Sequence, residues 1–278
     1  MVNTRIITSE FEYYEPKTVK EAIDVIVEFG KEAKILAGGS NLIVNMKTGK
    51  IDPKYLIYVG KIQELDYIKK EGEEVKVGAL ATFHDMIKSQ ELKEFPILSE
   101  ALKSVSIEVQ CMGTIGGNLC NAAPTASSIP PLLVLGARVK VDSLDGSRTM
   151  HLEELFSGKR QTVLSPGELL TEVQIPVVPD GNGAAYGELK RKIRVAAMLG
   201  RQGDVCKSCK IALGGALDVP RRARKAEIVL EGNKFNDVVD KVCSSAAEEI
   251  DPKKWYVREV AKDVVKKVLE RAWEGAKG

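Results

Sequence analysis

Ala37-Gly38-Gly39-Ser40-Asn41 and Thr114-Ile115-Gly116-Gly117-Asn118 are two glycine pairs, each followed by a small polar residue, and the rest of the chain is read from them. Glycine reaches positive φ without a Cβ clash, so successive N–H groups can turn inward and form a concave nest around an anionic oxygen. One nest suits one phosphate, and two straddle a diphosphate. The first pair follows the apolar run Lys34-Ile35-Leu36-Ala37 and precedes Leu42-Ile43-Val44, which places it where a strand ends and the chain turns sharply. Either pair alone also reads as a tight turn. The repetition with matching flanks favours the nest.

The second pair sits in a longer stretch, Met112 to Ala126, that is rich in Gly, Asn, Thr, Ala and Pro and carries no charge in a chain with 29% charged residues. Such a segment suits close approach of backbone to a ligand. At these residues the chain resembles the FAD-binding medium subunit of the molybdenum hydroxylases, the family of xanthine dehydrogenase, carbon monoxide dehydrogenase and related aldehyde and aromatic-CoA oxidoreductases. The family's signatures read Ala-Gly-Gly-Thr/Ser-Asp/Asn-Leu and Gly-Thr-Ile-Gly-Gly-Asn, the latter followed by Asn-Ala-Ser/Ala-Pro. The resemblance continues through Phe11-Glu12-Tyr13, through Val77-Gly78-Ala79-Leu80-Ala81-Thr82, and through Ile211-Ala212-Leu213-Gly214-Gly215 with Arg222-Ala223-Arg224-Lys225-Ala226-Glu227. It spans nearly the whole chain.

The resemblance implies an α+β fold: a two-lobed FAD-binding domain of the PCMH or vanillyl-alcohol-oxidase type over 1–176, with lobes of about 1–60 and 61–176, then a C-terminal α+β domain over 184–278. It implies that both nests clasp the FAD pyrophosphate through backbone amides, Gly38, Gly39, Gly116 and Gly117 lying at their centres. Ser40, Asn41, Thr114 and Asn118 would add side-chain bonds, while Leu36, Ala37 and Leu42 line one half of the groove and Ile115 approaches the ring system. Leu170 and Lys190 match further family positions at the cofactor; the alternatives are an ordinary core residue and a solvated strand end. Where relatives place an Asp after the Asn-Ala-x-Pro motif, this chain has Ser127 and Ser128, and a serine there can still donate and accept. A second departure follows Lys190, where the chain runs from Arg191-Lys192-Ile193-Arg194 almost directly into Val195-Ala196-Ala197-Met198. By resemblance the partners are an iron–sulfur subunit and a large molybdopterin subunit in a hetero-oligomer.

At 278 residues the chain fits two or three packed units, and its formal charge of +2 makes no electrostatic case for nucleic acid or an acidic membrane surface. No apolar run reaches membrane-spanning length, so a soluble cytoplasmic protein is expected. Five cysteines form no disulfide framework. Cys206-Lys207-Ser208-Cys209 has the spacing of half a metal site but lacks a second pair, and on a regular strand its two sulfurs would face opposite ways. No metal site is expected. The basic cluster Arg221, Arg222, Arg224 and Lys225 reads as the solvated face of a helix running to Leu230.

Along the chain, Thr18-Val19-Lys20-Glu21 reads as a capping box ahead of an apolar helical stripe that ends near Gly30. Strands are expected at Ile35–Ala37, Leu56–Tyr58 and Leu65–Ile68, and a hairpin turn at Glu71–Glu74 leading into Val75–Val77. Helices are expected after Thr82, over Ile97–Leu102 and over Ile129–Leu135, with strands at Ala137–Val141 and Leu169–Ile175. Val177-Val178-Pro179-Asp180-Gly181-Asn182-Gly183 is the linker. Beyond it, three strands followed by three helices form the separate α+β unit.

The Rossmann fingerprint and the P-loop are both absent. His84 and His151 have no partner that would make a catalytic pair, and no catalytic residue is assigned. That shortage fits an electron-transfer flavoprotein, in which the flavin carries the redox chemistry. Two rivals remain: a stand-alone flavin reductase of the same fold, resembling the enolpyruvyl-sugar nucleotide reductase, and a flavin-free docking subunit. The nest reading further expects Gly39→Val or Gly116→Val to weaken FAD binding while the apo fold survives.

Overall fold

The computed structural model describes residues 6–7, 9–178, 180–189 and 192–277, so Lys190 lies outside the described residues. The helix Val19–Phe29 buries Ala22, Ile23 and Ile26, and Thr18 caps it by accepting from the Glu21 N–H at 3.1 Å. The capping box is only half formed: the Glu21 carboxylate takes the N–H of Lys17 at 2.7 Å instead of that of Thr18. This helix packs beside a three-stranded parallel sheet in the order Glu12–Tyr14, Tyr55–Tyr58, Ala33–Leu36. The strand expected around Leu65 begins only at Ile68, because Gln63–Leu65 is a 3-10 turn that turns Leu65 into the core.

The next unit is a five-stranded antiparallel sheet in the order Ile68–Glu71, Glu74–Gly78, Leu169–Pro176, Arg138–Ser143, Gly146–His151. Val75, Val77, Val139, Val173 and Ile175 alternate along its strands and share one core with the helices Pro96–Lys103, Ile115–Cys120 and Ile129–Leu135. Every residue of Ile129–Leu135 is buried; prolines occupy its first turn, and Gly136 at φ 76° ends it in the left-handed conformation.

The reason for that complete burial lies in the third unit. Its four-stranded antiparallel sheet, Gly183–Leu189, Ile193–Gln202, Val205–Gly214 and Arg221–Arg222, is covered on both faces. Tyr186, Ala196, Met198 and Ala212 point into the core of the preceding unit, against Ile129–Leu135. Their neighbours Ala185, Val195, Ala197, Leu199, Ile211 and Leu213 point the other way, into a core closed by the helices Arg224–Leu230, Phe235–Glu248 and Trp255–Gly275. A period of two in a continuous apolar run thus serves two cores at once.

Three expectations are corrected. Gly116 and Gly117 form no positive-φ nest; they lie in the helix Ile115–Cys120, with Thr114 as its cap accepting from Gly117 N–H at 3.2 Å. Cys206 and Cys209 do not face apart, because the register slips at Gly200/Arg201 and makes Lys207 the extra residue of a bulge. Both side chains enter the same core, and a hydrogen bond from Cys209 draws the Cys206 thiol below its ordinary value. Finally, Arg221–Arg222 is a strand and the helix starts at Arg224. Arg222 is no solvated residue: it makes a bidentate pair with Glu227 at 2.7 and 2.8 Å, and Glu227 is 5% exposed.

Candidate functional site

A cleft of about 640 Å³ runs between the parallel and antiparallel units, within the size range of ligand pockets. The first glycine motif forms one wall, between the end of the strand Ala33–Leu36 and the start of the helix Leu42–Lys47. Gly39 has φ 69°, so this turn needs the left-handed region that glycine supplies. Gly38 is required for another reason: a Cβ there would fall 1.5 Å from the carbonyl oxygen of Met112. Two lobes therefore touch backbone to backbone at the bottom of the cleft. No acceptor among the described residues takes the N–H groups of Gly38, Gly39, Ser40, Asn41 or Leu42. Five consecutive donors without a protein acceptor, on half-exposed or exposed residues along a cavity wall, remain available to cradle an anion.

The second motif contributes by packing. Its amides are already used: Ile115 N–H donates to Ala81 O at 3.0 Å, Gly116 N–H to Ala79 O at 2.9 Å, and Asn118 N–H to Thr114 O at 2.9 Å. A Cβ at Gly116 would lie 2.7 Å from that of Ala79, so glycine there lets the helix rest on the Ala79 backbone. The cradle is single, not double.

Of the residues singled out in the sequence, Ala37, Gly38, Gly39, Ser40, Asn41, Leu42, Thr114, Gly116, Gly117, Asn118 and Leu170 line the cleft. Leu36 is not among the lining residues, and its side chain stands behind Gly39, 3.2 Å from where a Cβ would be. Ile115 is fully buried in the core under the antiparallel sheet, because it is the inward-facing first residue of its helix. Ser127 is 2% exposed and belongs to a buried polar cluster: it accepts from Arg194 Nε at 3.1 Å and from Ser104 Oγ at 3.2 Å. Glu188 closes that cluster, pairing with Arg194 at 3.3 Å and accepting from Tyr186 at 2.8 Å. Burial, then the bond to Glu188, pushes the Tyr186 hydroxyl up.

Sequence reasoning missed the polar side chains that cross the cleft. Asn121 Oδ1 accepts from Asn41 Nδ2 at 2.7 Å and from Arg160 at 3.0 Å. Asn121 stood in the uncharged stretch that had been singled out; Arg160, on the turn of the hairpin Phe156–Gly158 and Gln161–Thr162, gave no local signal. Lys31 and Lys34 also line the cleft, and neither they nor Arg160 has a carboxylate partner among the described residues. The one lining carboxylate, Glu168, is bound to Arg148 at 2.7 Å, which holds its carboxyl below the ordinary value. Cys120 is exposed at the cleft wall. Among the described residues no three His, Cys, Asp or Glu side chains gather as a metal site, and no helix is long and apolar enough to cross a membrane.

Free amides, unpaired cations and a neutralised carboxylate define the class: a two-lobed binding protein for an anionic ligand, with a further α+β unit packed against it. Residues 9–178 match the family described as the FAD binding domain in molybdopterin dehydrogenase, and residues 190–272 match the carbon monoxide dehydrogenase flavoprotein C-terminal domain. The chain belongs to the family of FAD-binding medium subunits of the molybdopterin dehydrogenases, which includes those of xanthine and carbon monoxide dehydrogenase. It is 32% identical to the carbon monoxide dehydrogenase medium chain of Afipia carboxidovorans, covering 98% of this chain and 100% of that one. It is 31% identical to the glyceraldehyde dehydrogenase medium chain of Sulfolobus acidocaldarius, covering 94% and 98%. The fold matches a chain in a solved carbon monoxide dehydrogenase from Hydrogenophaga pseudoflava with a TM-score of 0.94 at 30% identity, covering 98% and 100%. The expected two-part α+β architecture is thereby established.

Proposed function

We propose that this chain binds FAD in the cleft and serves as the electron-transfer flavoprotein of a molybdenum hydroxylase complex. The observation that carries the reading is the run of free amides from Gly38 to Leu42, facing a cavity whose unpaired side chains are cationic. That donor set suits a diphosphate: the amides would take phosphate oxygens, and Asn41 and Asn118 would add side-chain bonds. When bound, FAD supplies one- and two-electron redox chemistry, and the chain supplies position and polarity. The described residues offer no nucleophile paired with a base at the cleft, in keeping with a relay that leaves substrate chemistry to another chain. Electrons would arrive through an iron–sulfur subunit from a large molybdopterin subunit and leave to an external acceptor. The medium chains it resembles serve dehydrogenases named for carbon monoxide and for glyceraldehyde, so the substrate is set outside this scaffold.

Purified chain should carry, or take up on reconstitution, a yellow chromophore released as FAD. Stoichiometric FMN, or no flavin after reconstitution, would overturn the reading. From its source the chain should copurify with the iron–sulfur and molybdopterin subunits. Substrate-dependent turnover by this chain alone would rule out the relay.

A further inference from the structure

Two described non-glycine residues have positive φ, Ala122 at 43° and Arg160 at 57°, and they are bonded to each other through Arg160 N–H and Ala122 O at 3.1 Å. Backbone in this region is disfavoured for any residue with a Cβ. Ala122 is fully buried and Arg160 lines the cleft, so the paired outliers hold a cavity-wall residue against the core. The Arg160 guanidinium donates to Asn121 Oδ1 at 3.0 Å while Asn41 Nδ2 donates to the same oxygen at 2.7 Å. Asn41 lies within the segment with free amides. Three segments far apart in the chain thus converge beside the cradle. The bidentate fork of Arg160 has no carboxylate partner among the described residues, and one of its nitrogens suffices for Asn121. Lys31 and Lys34 line the cleft without any such tether.

We propose that Arg160 is the cationic member of the anion cradle, positioned by Asn121 to bind phosphate oxygens of the ligand. The proposal rests on the FAD reading above. The ligand diphosphate is held from one side by backbone amides and from the other by a guanidinium, which spreads its charge over both partners.

The test is calorimetric titration of the apoprotein and its Arg160→Gln and Arg160→Lys variants with FAD and FMN, each at two salt concentrations. Thermal denaturation of each apoprotein checks that the variants fold. Loss of a charge-assisted bond should weaken FAD at least ~10-fold in Arg160→Gln and flatten the salt dependence of FAD binding. Arg160→Lys should fall between, since it keeps the charge and loses the fork. Unchanged FAD affinity in Arg160→Gln would overturn this proposal while leaving the FAD reading intact. A wild-type apoprotein that binds neither flavin would instead overturn the reading beneath it.

Discussion

At the scale of single residues, glycines that look alike in the sequence do different work. Gly39 is there for its φ of 69°, and it belongs to the segment whose amides are free. A side chain at this position strains the turn by about 1–2 kcal/mol and meets Leu36 and Ile43 at 3.2 and 3.0 Å. Gly39→Val should therefore lower FAD affinity by about tenfold or more through the distorted cradle, with a loss of apoprotein stability no greater than that strain. Gly116 sits against Ala79 in the core, and its N–H bonds Ala79 O at 2.9 Å. Gly116→Val should destabilise the apoprotein itself, by about 1–3 kcal/mol of overpacking, which thermal denaturation without ligand would detect. Equal melting of the Gly116 variant and wild type would show that the helix moves aside at no cost. The expectation that both variants spare the apo fold is thus retained for Gly39 and withdrawn for Gly116.

At the scale of elements, Glu227 ties three of them together. It accepts from Ile211 N–H on one strand at 2.8 Å and binds Arg222 of the neighbouring strand, while standing on the helix Arg224–Leu230. Both partners are largely out of water, with side-chain exposures of 13% and 7%. Removing one member leaves a buried charge alone, whereas removing both leaves the packing and the Ile211 N–H to repair. Glu227→Ala should lose about 3 kcal/mol in urea unfolding. Arg222→Met combined with Glu227→Leu should recover part of that loss, the Ile211 N–H staying without its acceptor. A single-variant cost near zero would show the pair to be a passenger. The basic cluster around Arg222 looked like a solvated helix face because a sequence window shows neighbouring cations but not a carboxylate folded back onto them.

At the scale of the whole molecule, the units are not separable. Tyr186, Ala196, Met198 and Ala212 of the four-stranded sheet complete the core that contains Ile129–Leu135. Arg271 of the last helix donates to Tyr186 O at 2.8 Å and reaches Glu100 at 3.1 Å, clamping the helix Pro96–Lys103. A fragment ending at residue 178 would leave the outer side of Ile129–Leu135 in water. That apolar face should make the fragment aggregate or melt well below the intact chain, and the intact chain should show one calorimetric transition. Two resolved transitions, or a soluble fragment of undiminished stability, would contradict a shared core.

Much of this was legible in the sequence because it is local. The helix caps at Thr18 and Thr82, the hairpin at Glu71–Glu74, the strands beyond the linker and the glycine motifs are all set by neighbours a few residues apart, whose propensity and turn chemistry act before any long-range contact. The first motif, with the segment from Thr114 to Asn118, also carries the family. Tertiary structure decided the rest, since it depends on residues that meet only on folding. Gly116 needs Ala79, Gly38 needs Met112, and Arg160 needs Asn121 and Asn41. The two cysteines share a face because a bulge opposite Gly200/Arg201 overrides the period of two. A sequence motif states what its own backbone can do; whether its amides stay free for a ligand or are taken by the core is settled by what packs against it.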